Sequence, residues 1–340
     1  SWGLFAAGFA AFVGMFWSGS DRYWIAAALV YIGVLGELAV LAVTHARAIR
    51  RDWTWTHFTA ALGWLFILGL IGVLMAIDRH RGTVFRDPEG GLIAHVHMAL
   101  AGFVTTTIFG AGYRLFPWVS MYQLRSKLAG RLSFVLLQIG LGGLAFDALF
   151  FGRRLMPLWA ILLAVSYLLY FSQLRPLLAG GATFDPSLAL VLLGVAGGAL
   201  WVAVGVGLAC GWIKDEPSAR AAYVYSALVG FSAPIILSQS HKIVPFLVWL
   251  HVYSPRQYTP PVKVPKIDDL TNRGLAWAEF FTLATAVPLG TVGLWLERGE
   301  IVRAAGIWLF VAAGCYAWNL GRTLRHALRP DDRWTLPSVR

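Results

Sequence analysis

The sequence is short of charge and nearly empty of cysteine. Of 340 residues only 13% are Asp, Glu, Lys or Arg, about half the share of an ordinary soluble domain. The two cysteines, Cys210 and Cys315, fall within or at the edge of apolar runs. Without a CxxC pair they suggest neither a disulfide framework nor a thiolate metal site. No Walker or GxGxxG loop occurs in a strand–helix context, so nucleotide chemistry is unsupported. Acids are scarcer than bases, 17 against 28, leaving a net charge of +11. In a soluble protein that excess would suggest nucleic acid. In a membrane protein it reflects positive loops on one face, and no nucleic-acid partner is expected.

What is present is apolar. Hydrophobic residues make up 58% of the chain, with 16 Trp and 21 Phe, and mean hydropathy is +0.65. A soluble fold of this size could not hide so much apolar surface, and disorder, collagen and coiled coil are excluded. The fold class is therefore all-α and integral to a membrane, a single polytopic domain over 1–340. A crossing helix needs roughly 20 apolar residues. On that measure about ten spans are expected, near 2–18, 23–45, 53–77, 91–116, 131–152, 155–174, 186–211, 219–253, 272–296 and 301–327. The first is short and has no signal-peptide features. The eighth is too long for one straight crossing, and Pro234 and Pro245 can kink it.

Basic residues crowd the loops after the even-numbered spans, for example Arg47, Arg51, Arg125, Arg175 and Lys263. The opposite loops mix Asp78, Asp87 and Glu89 with Arg79, Arg81 and Arg86. The positive-inside rule then places both ends of the chain in the cytoplasm and the 79–90 loop outside. This predicts a multi-pass protein of a bacterial or archaeal cytoplasmic membrane. Besides histidine, the ionisable residues well inside spans are Glu37, Asp147, Lys242 and Glu279. Charge in lipid is costly, so each should face the bundle and have a partner, either as a structural pair or as part of a proton path or site.

Two segments align without a gap, His97–Pro117 with Tyr225–Pro245, at an offset of 128 residues. Gly102-Phe103 matches Gly230-Phe231, Arg114 matches Lys242, and Pro117 matches Pro245. Apolar helices share such residues by chance. The fixed spacing of Gly-Phe, a cation and Pro favours an internal repeat of about four spans, with halves near 23–152 and 153–296. The copies differ where chemistry could live: His95 and His97 become Tyr223 and Tyr225, and Tyr113 becomes His241.

His95 and His97 open the fourth span. Residues i and i+2 of a helix point about 200° apart, so the two imidazoles cannot easily chelate one ion. They can serve two centres, or one can ligate while the other hydrogen-bonds, or both can bond to loop groups. Neutral imidazole is a natural axial ligand of heme iron.

The stretch AHVHMALAGFVTTTIFGAGYRLFP, residues 94–117, resembles the tenth span of the catalytic subunit of heme–copper oxidases, nearest the C-type oxidases and nitric oxide reductases. SHKIVPFLVWLHVYSP, residues 240–255, resembles a signature of shorter relatives. The resemblance implies an oxidase-like bundle in which His95 takes the role of the high-spin heme ligand and His97 that of the low-spin ligand. It implies heme b, one or two, as cofactor. The three further histidines of a copper site are missing, in both the H-P-x-x-Y and H-H patterns, so no copper and no oxygen reduction are expected. The second low-spin ligand is also missing from span 2, which carries Tyr23 and Trp24 at that level. Candidate replacements are Met75, His80, Met15 or a residue upstream of Ser1. A five-coordinate heme or an empty pocket are the other outcomes.

His57 opens span 3 at the opposite depth, on the order of 25 Å from His97 at 1.5 Å per residue, so the two should not share an iron. His57, His241, Lys242 and Glu279, with His251, form an expected polar cluster toward the cytoplasm. It would suit proton uptake, a quinone head group or a second heme, against a reading as interfacial and helix-packing residues. Thr105, Thr106 and Thr107 either line a polar path or bond back to carbonyls of their own helix.

The expected function is a b-type heme subunit carrying electrons within a respiratory complex, an electron-transfer or anchoring subunit more than a stand-alone enzyme. Its expected partners are other membrane subunits, a periplasmic cytochrome or outer redox subunit, lipids and a quinone. The alternatives are a cofactor-free anchor of such an assembly and a repeat-built transporter.

Overall fold

The computed structural model describes residues 2–49, 51–120, 127–174, 184–256 and 264–328, with no strand among them. Arg125, Arg175 and Lys263, counted above on the positive side, lie outside the described residues. Eight helices are long and apolar enough to cross a membrane: α2 (Tyr23–Ala46), α3 (Trp53–Arg81), α4 (Pro88–Phe116), α5 (Lys127–Phe151), α7 (Pro186–Ala209), α8 (Pro217–Val252), α9 (Arg273–Trp295) and α10 (Gly299–Leu328). Two apolar helices are shorter, α1 (Trp2–Trp17) and α6 (Met156–Ser172). The protein is an all-helical, multi-pass membrane protein. The polar Ser18 and Gln173 follow α1 and α6, whose bounds lie within two residues of the expected 2–18 and 155–174.

The helix starts are written in the sequence. Asp52, Asp87, Asp185 and Asn272 each cap a helix, accepting from the backbone N–H of Trp55, Glu89, Leu188 and Leu275. Proline occupies the first turn of α4, α7 and α8, where its missing N–H costs nothing. Gly82 and Gly152 close α3 and α5 in the left-handed conformation, both at φ 65°, which glycine adopts without a Cβ clash.

The chain divides into two compact units, Ser1–Gly181 and Ala182–Arg340. In the first, α1 packs on α2, α2 on α3, α3 on α4, α4 on α5 and α5 on α6. In the second, α8 packs on α7, α9 and α10, and α9 on α7 and α10. The boundary falls at 181, one helix later than the expected division near 152, because α6 packs on α5 and so joins the first unit.

Both α4 and α8 contain a widened stretch wound with π-type turns, Met98–Thr105 in one and Ser226–Ser232 in the other. Their first residues are 128 apart, the offset of the sequence repeat. Such turns carry one extra residue and leave carbonyls poorly served. Hydroxyls five residues on bond to them: Thr105 Oγ1 to Leu100 O at 2.7 Å and Thr106 Oγ1 to Ala101 O at 3.1 Å. In α8, Ser232 Oγ bonds Ala227 O at 2.8 Å. The α8 stretch ends beside buried Pro234, whose ring would strike the carbonyl four residues back in a tight α-turn. Thr105 and Thr106 thus serve their own helix and not a path.

Candidate functional site

His95 and His97 point apart, as their spacing requires. The His95 ring lies against α3, bonded to the Leu68 carbonyl, and a Cβ at Gly72 would stand 3.0 Å from its Cε1. Its Nδ1 is buried without a partner. Met75 is half-buried, on the same stripe of α3 as Leu68 and Gly72. His97 turns its Nδ1 back to the Ile93 carbonyl at 2.8 Å. A donor at Nδ1 sets the tautomer whose lone pair is on Nε2.

His57 is 1% exposed, and its Nδ1 lies 2.7 Å from the Trp53 carbonyl. Its Nε2 has no hydrogen-bond partner. Around it stand aromatic rings, Phe134 at 4.6 Å and Tyr113 at 5.2 Å between centroids. Gly110 permits this approach, since a Cβ there would come within 2.6 Å of His57 Cβ. Tyr113 and Gln173 approach each other without completing a hydrogen bond of normal geometry.

In the second unit, His241 Nε2 is 2.8 Å from Glu279 Oε2. The two side chains are 8% and 0% exposed. Glu279 Oε1 is buried and has no partner. The Tyr316 ring stands edge-on to His241, 5.8 Å between centroids. Lys242 does not join them. Its Nζ lies 2.6 Å from Asp185 Oδ2, the cap of α7. His251 is exposed, with Nδ1 bonded to Leu247 O. Of the expected polar cluster, the structure therefore brings His241 and Glu279 together and gives Lys242 a different partner. His57 has its own surroundings in the first unit.

The remaining intramembrane acids divide similarly. Asp147 is 2% exposed and accepts from the N–H groups of Arg154 and Leu155 at 3.1 and 2.8 Å. That is a structural role, closing the turn into α6. Glu37 is half-buried on α2.

Three residues escaped the sequence reading. Asp185 caps α7 and holds Lys242, and the Asp-Pro pair at 185–186 is a helix-start signal that pointed to it. Asp52 does the same for α3 and Arg114, at 2.5 Å. Partial burial would raise the Asp52 carboxyl, but Arg114 and the Trp55 N–H outweigh it and hold it below the usual carboxylate range. Gln138 accepts from Trp64 Nε1 at 2.7 Å and reaches Thr106 Oγ1 at 3.4 Å, tying α3, α5 and α4. Nothing local in the sequence announced that link.

No cluster of three or more His, Cys, Asp or Glu able to hold a metal ion occurs among the described residues. No protein-family model matches the sequence, and no curated protein matches it.

Proposed function

We propose that this chain is a b-heme-bearing electron-transfer subunit of a membrane respiratory complex. The observation that carries the reading is the bond between His97 Nδ1 and Ile93 O at 2.8 Å, which selects the tautomer with its lone pair on Nε2, the form that ligates iron. The resemblance of residues 94–117 to the heme-bearing span of the oxidases points to the same residue. His95 is engaged with Leu68 and Gly72 and serves as a packing partner that fixes the start of α4. Met75 lies on the stripe of α3 that faces His95, on the side of α4 away from His97, so it is not placed to share an iron with His97.

A bound heme supplies one-electron chemistry. The chain supplies ligation and burial, which set the potential. No copper and no catalytic group are required. With the positive loops read as cytoplasmic, the histidine end of α4 would lie at the outer face of a bacterial or archaeal cytoplasmic membrane, where a periplasmic cytochrome or an outer redox subunit could exchange electrons with it.

The same reading includes an internal duplication, α3–α6 with α7–α10. Its support is threefold: the matched sequences, the matched widened stretches, and two ion pairs between a helix-capping Asp and a cation, Asp52–Arg114 and Asp185–Lys242.

The test is a pyridine hemochrome assay with reduced-minus-oxidised visible spectra of the purified protein. The expected result is a b-type band in the wild type, lost in His97→Ala and kept in Met75→Leu. A folded wild type without heme would overturn the reading and leave a cofactor-free membrane anchor.

A further inference from the structure

The corresponding places in the two units are furnished differently. In the first, Tyr113 of α4 faces Gly130 of α5 and Gln173 at the end of α6. In the second, His241 of α8, 128 residues on, faces Glu279 of α9 and Tyr316 of α10. Tyr113 meets an imidazole and an amide in one unit, whereas His241 meets a carboxylate in the other.

A carboxylate with no exposed surface is tolerated in a low-dielectric interior only when its charge is compensated. Here the compensation is one imidazole, 2.8 Å away at Oε2. Oε1, equally buried, meets nothing. The pair with one proton is neutral overall, either as imidazole with carboxylic acid or as imidazolium with carboxylate. Removing that proton leaves a bare buried anion. Adding a second, at Oε1, leaves an imidazolium beside a neutral acid. The orphan oxygen is thus the position at which a proton or its carrier water arrives.

Access is short. His241 adjoins Lys242, whose pair with Asp185 is 28% and 23% exposed. Glu279 is the seventh residue of α9, roughly 10 Å along the helix from its start. The charged and titratable groups at this end are several: Lys266, Asp268 and Asp269 before α9, His251 on α8, and Arg322, Arg325 and His326 late in α10. Asp185, on α7, and Lys242, on α8, neutralise each other. Tyr316 faces the pair from α10, and Arg273 is exposed in the first turn of α9.

We propose that His241 and Glu279 form a proton-binding site of the second unit, exchanging protons with the aqueous face at which Asp185 and Lys242 stand. The transfer is a proton move between water and Glu279 Oε1, with the Oε2···Nε2 bond keeping the remaining proton. No oxidant or second substrate is needed. A sealed structural pair is the competing description, and exchange separates the two.

The experiment is infrared difference spectroscopy on the full-length protein in lipid nanodiscs, titrated from acid to alkaline pH in H2O and D2O. The expected result is a protonated-carboxyl band that shifts on transfer to D2O within minutes and titrates. It should vanish in Glu279→Gln, a near-isosteric change that keeps the bond to His241, and change frequency in His241→Asn, which removes the imidazole from Oε2. Tyr113→Phe, in the first unit, should leave it unchanged. A Glu279 band that neither exchanges nor titrates in folded protein would overturn the proposal and make the pair structural. A titrating band that survives Glu279→Gln would also overturn it. Heme content does not enter this readout, so its failure is distinct from failure of the electron-transfer reading.

Discussion

The crossing of α3 with α4 and the crossing of α7 with α8 solve one problem in opposite ways. In the first unit the contact is filled: Gly102 of α4 receives the Trp64 side chain of α3, and Leu141 lies 3.0 Å from where its Cβ would be. The indole N–H then finds Gln138. In the second unit the contact is emptied: Gly197 of α7 meets Gly230 of α8 so closely that a Cβ on Gly197 would overlap the Gly230 carbonyl. Both use the glycine 128 residues apart in the repeat. Close backbone approach, with little side chain to order, is a standard route to helix association in lipid. A large aromatic with a satisfied N–H is the other route. The two crossings share the aligned glycine and differ in what fills them.

Three changes test that contrast. Trp64→Ala should have the largest effect, about 3–5 kcal/mol lost from the first unit through cavity formation and loss of the Gln138 bond. Thermal unfolding in detergent with unit-specific proteolysis would register it, and a loss under about 1 kcal/mol would show the crossing does not depend on the indole. Gly197→Ala comes next. The helices of the second unit must separate, at about 1–3 kcal/mol, whereas Gly142→Ala, with nothing within 4 Å, should be neutral by the same assay. Equal behaviour of the two glycine variants would refute the close approach.

The smallest effects are at the ion pairs. Asp→Asn keeps the helix cap and removes only the charge. Arg114 and Asp52 are 57% and 44% exposed, so Asp52→Asn should cost about 0.5 kcal/mol. The Asp185 pair is less exposed, and Asp185→Asn should cost more, about 1 kcal/mol. Because the folded Asp52 carboxyl is held low, its contribution is present above the ordinary carboxylate range and fades as pH falls through the lowered value. The Asp52→Asn difference should therefore disappear in acid. A difference that persists there would mean the residue acts through packing.

Much of the fold was legible because lipid imposes a simple rule: long apolar runs, capped by Asp and Pro, become helices. The divergent pointing of His95 and His97 also follows from spacing alone. The pairing of His241 with Glu279 was legible only as shared depth, since helices α8 and α9 meet through tertiary packing that periodicity does not encode. The expected cluster was too inclusive for the same reason. Depth put Lys242 beside Glu279, while Asp185, unremarked in the sequence, had the better claim on its charge.

The widened stretches of α4 and α8 carry a mechanical consequence. A residue added to one turn offsets everything beyond it by about 100° relative to an unbroken α-helix. Moving that surplus along the stretch would turn only the residues it passes, leaving the His97 end, capped by Asp87, and the Arg114 end, held by Asp52, in their relative orientation. Each helix thus keeps its ends fixed and holds its rotational freedom in the middle.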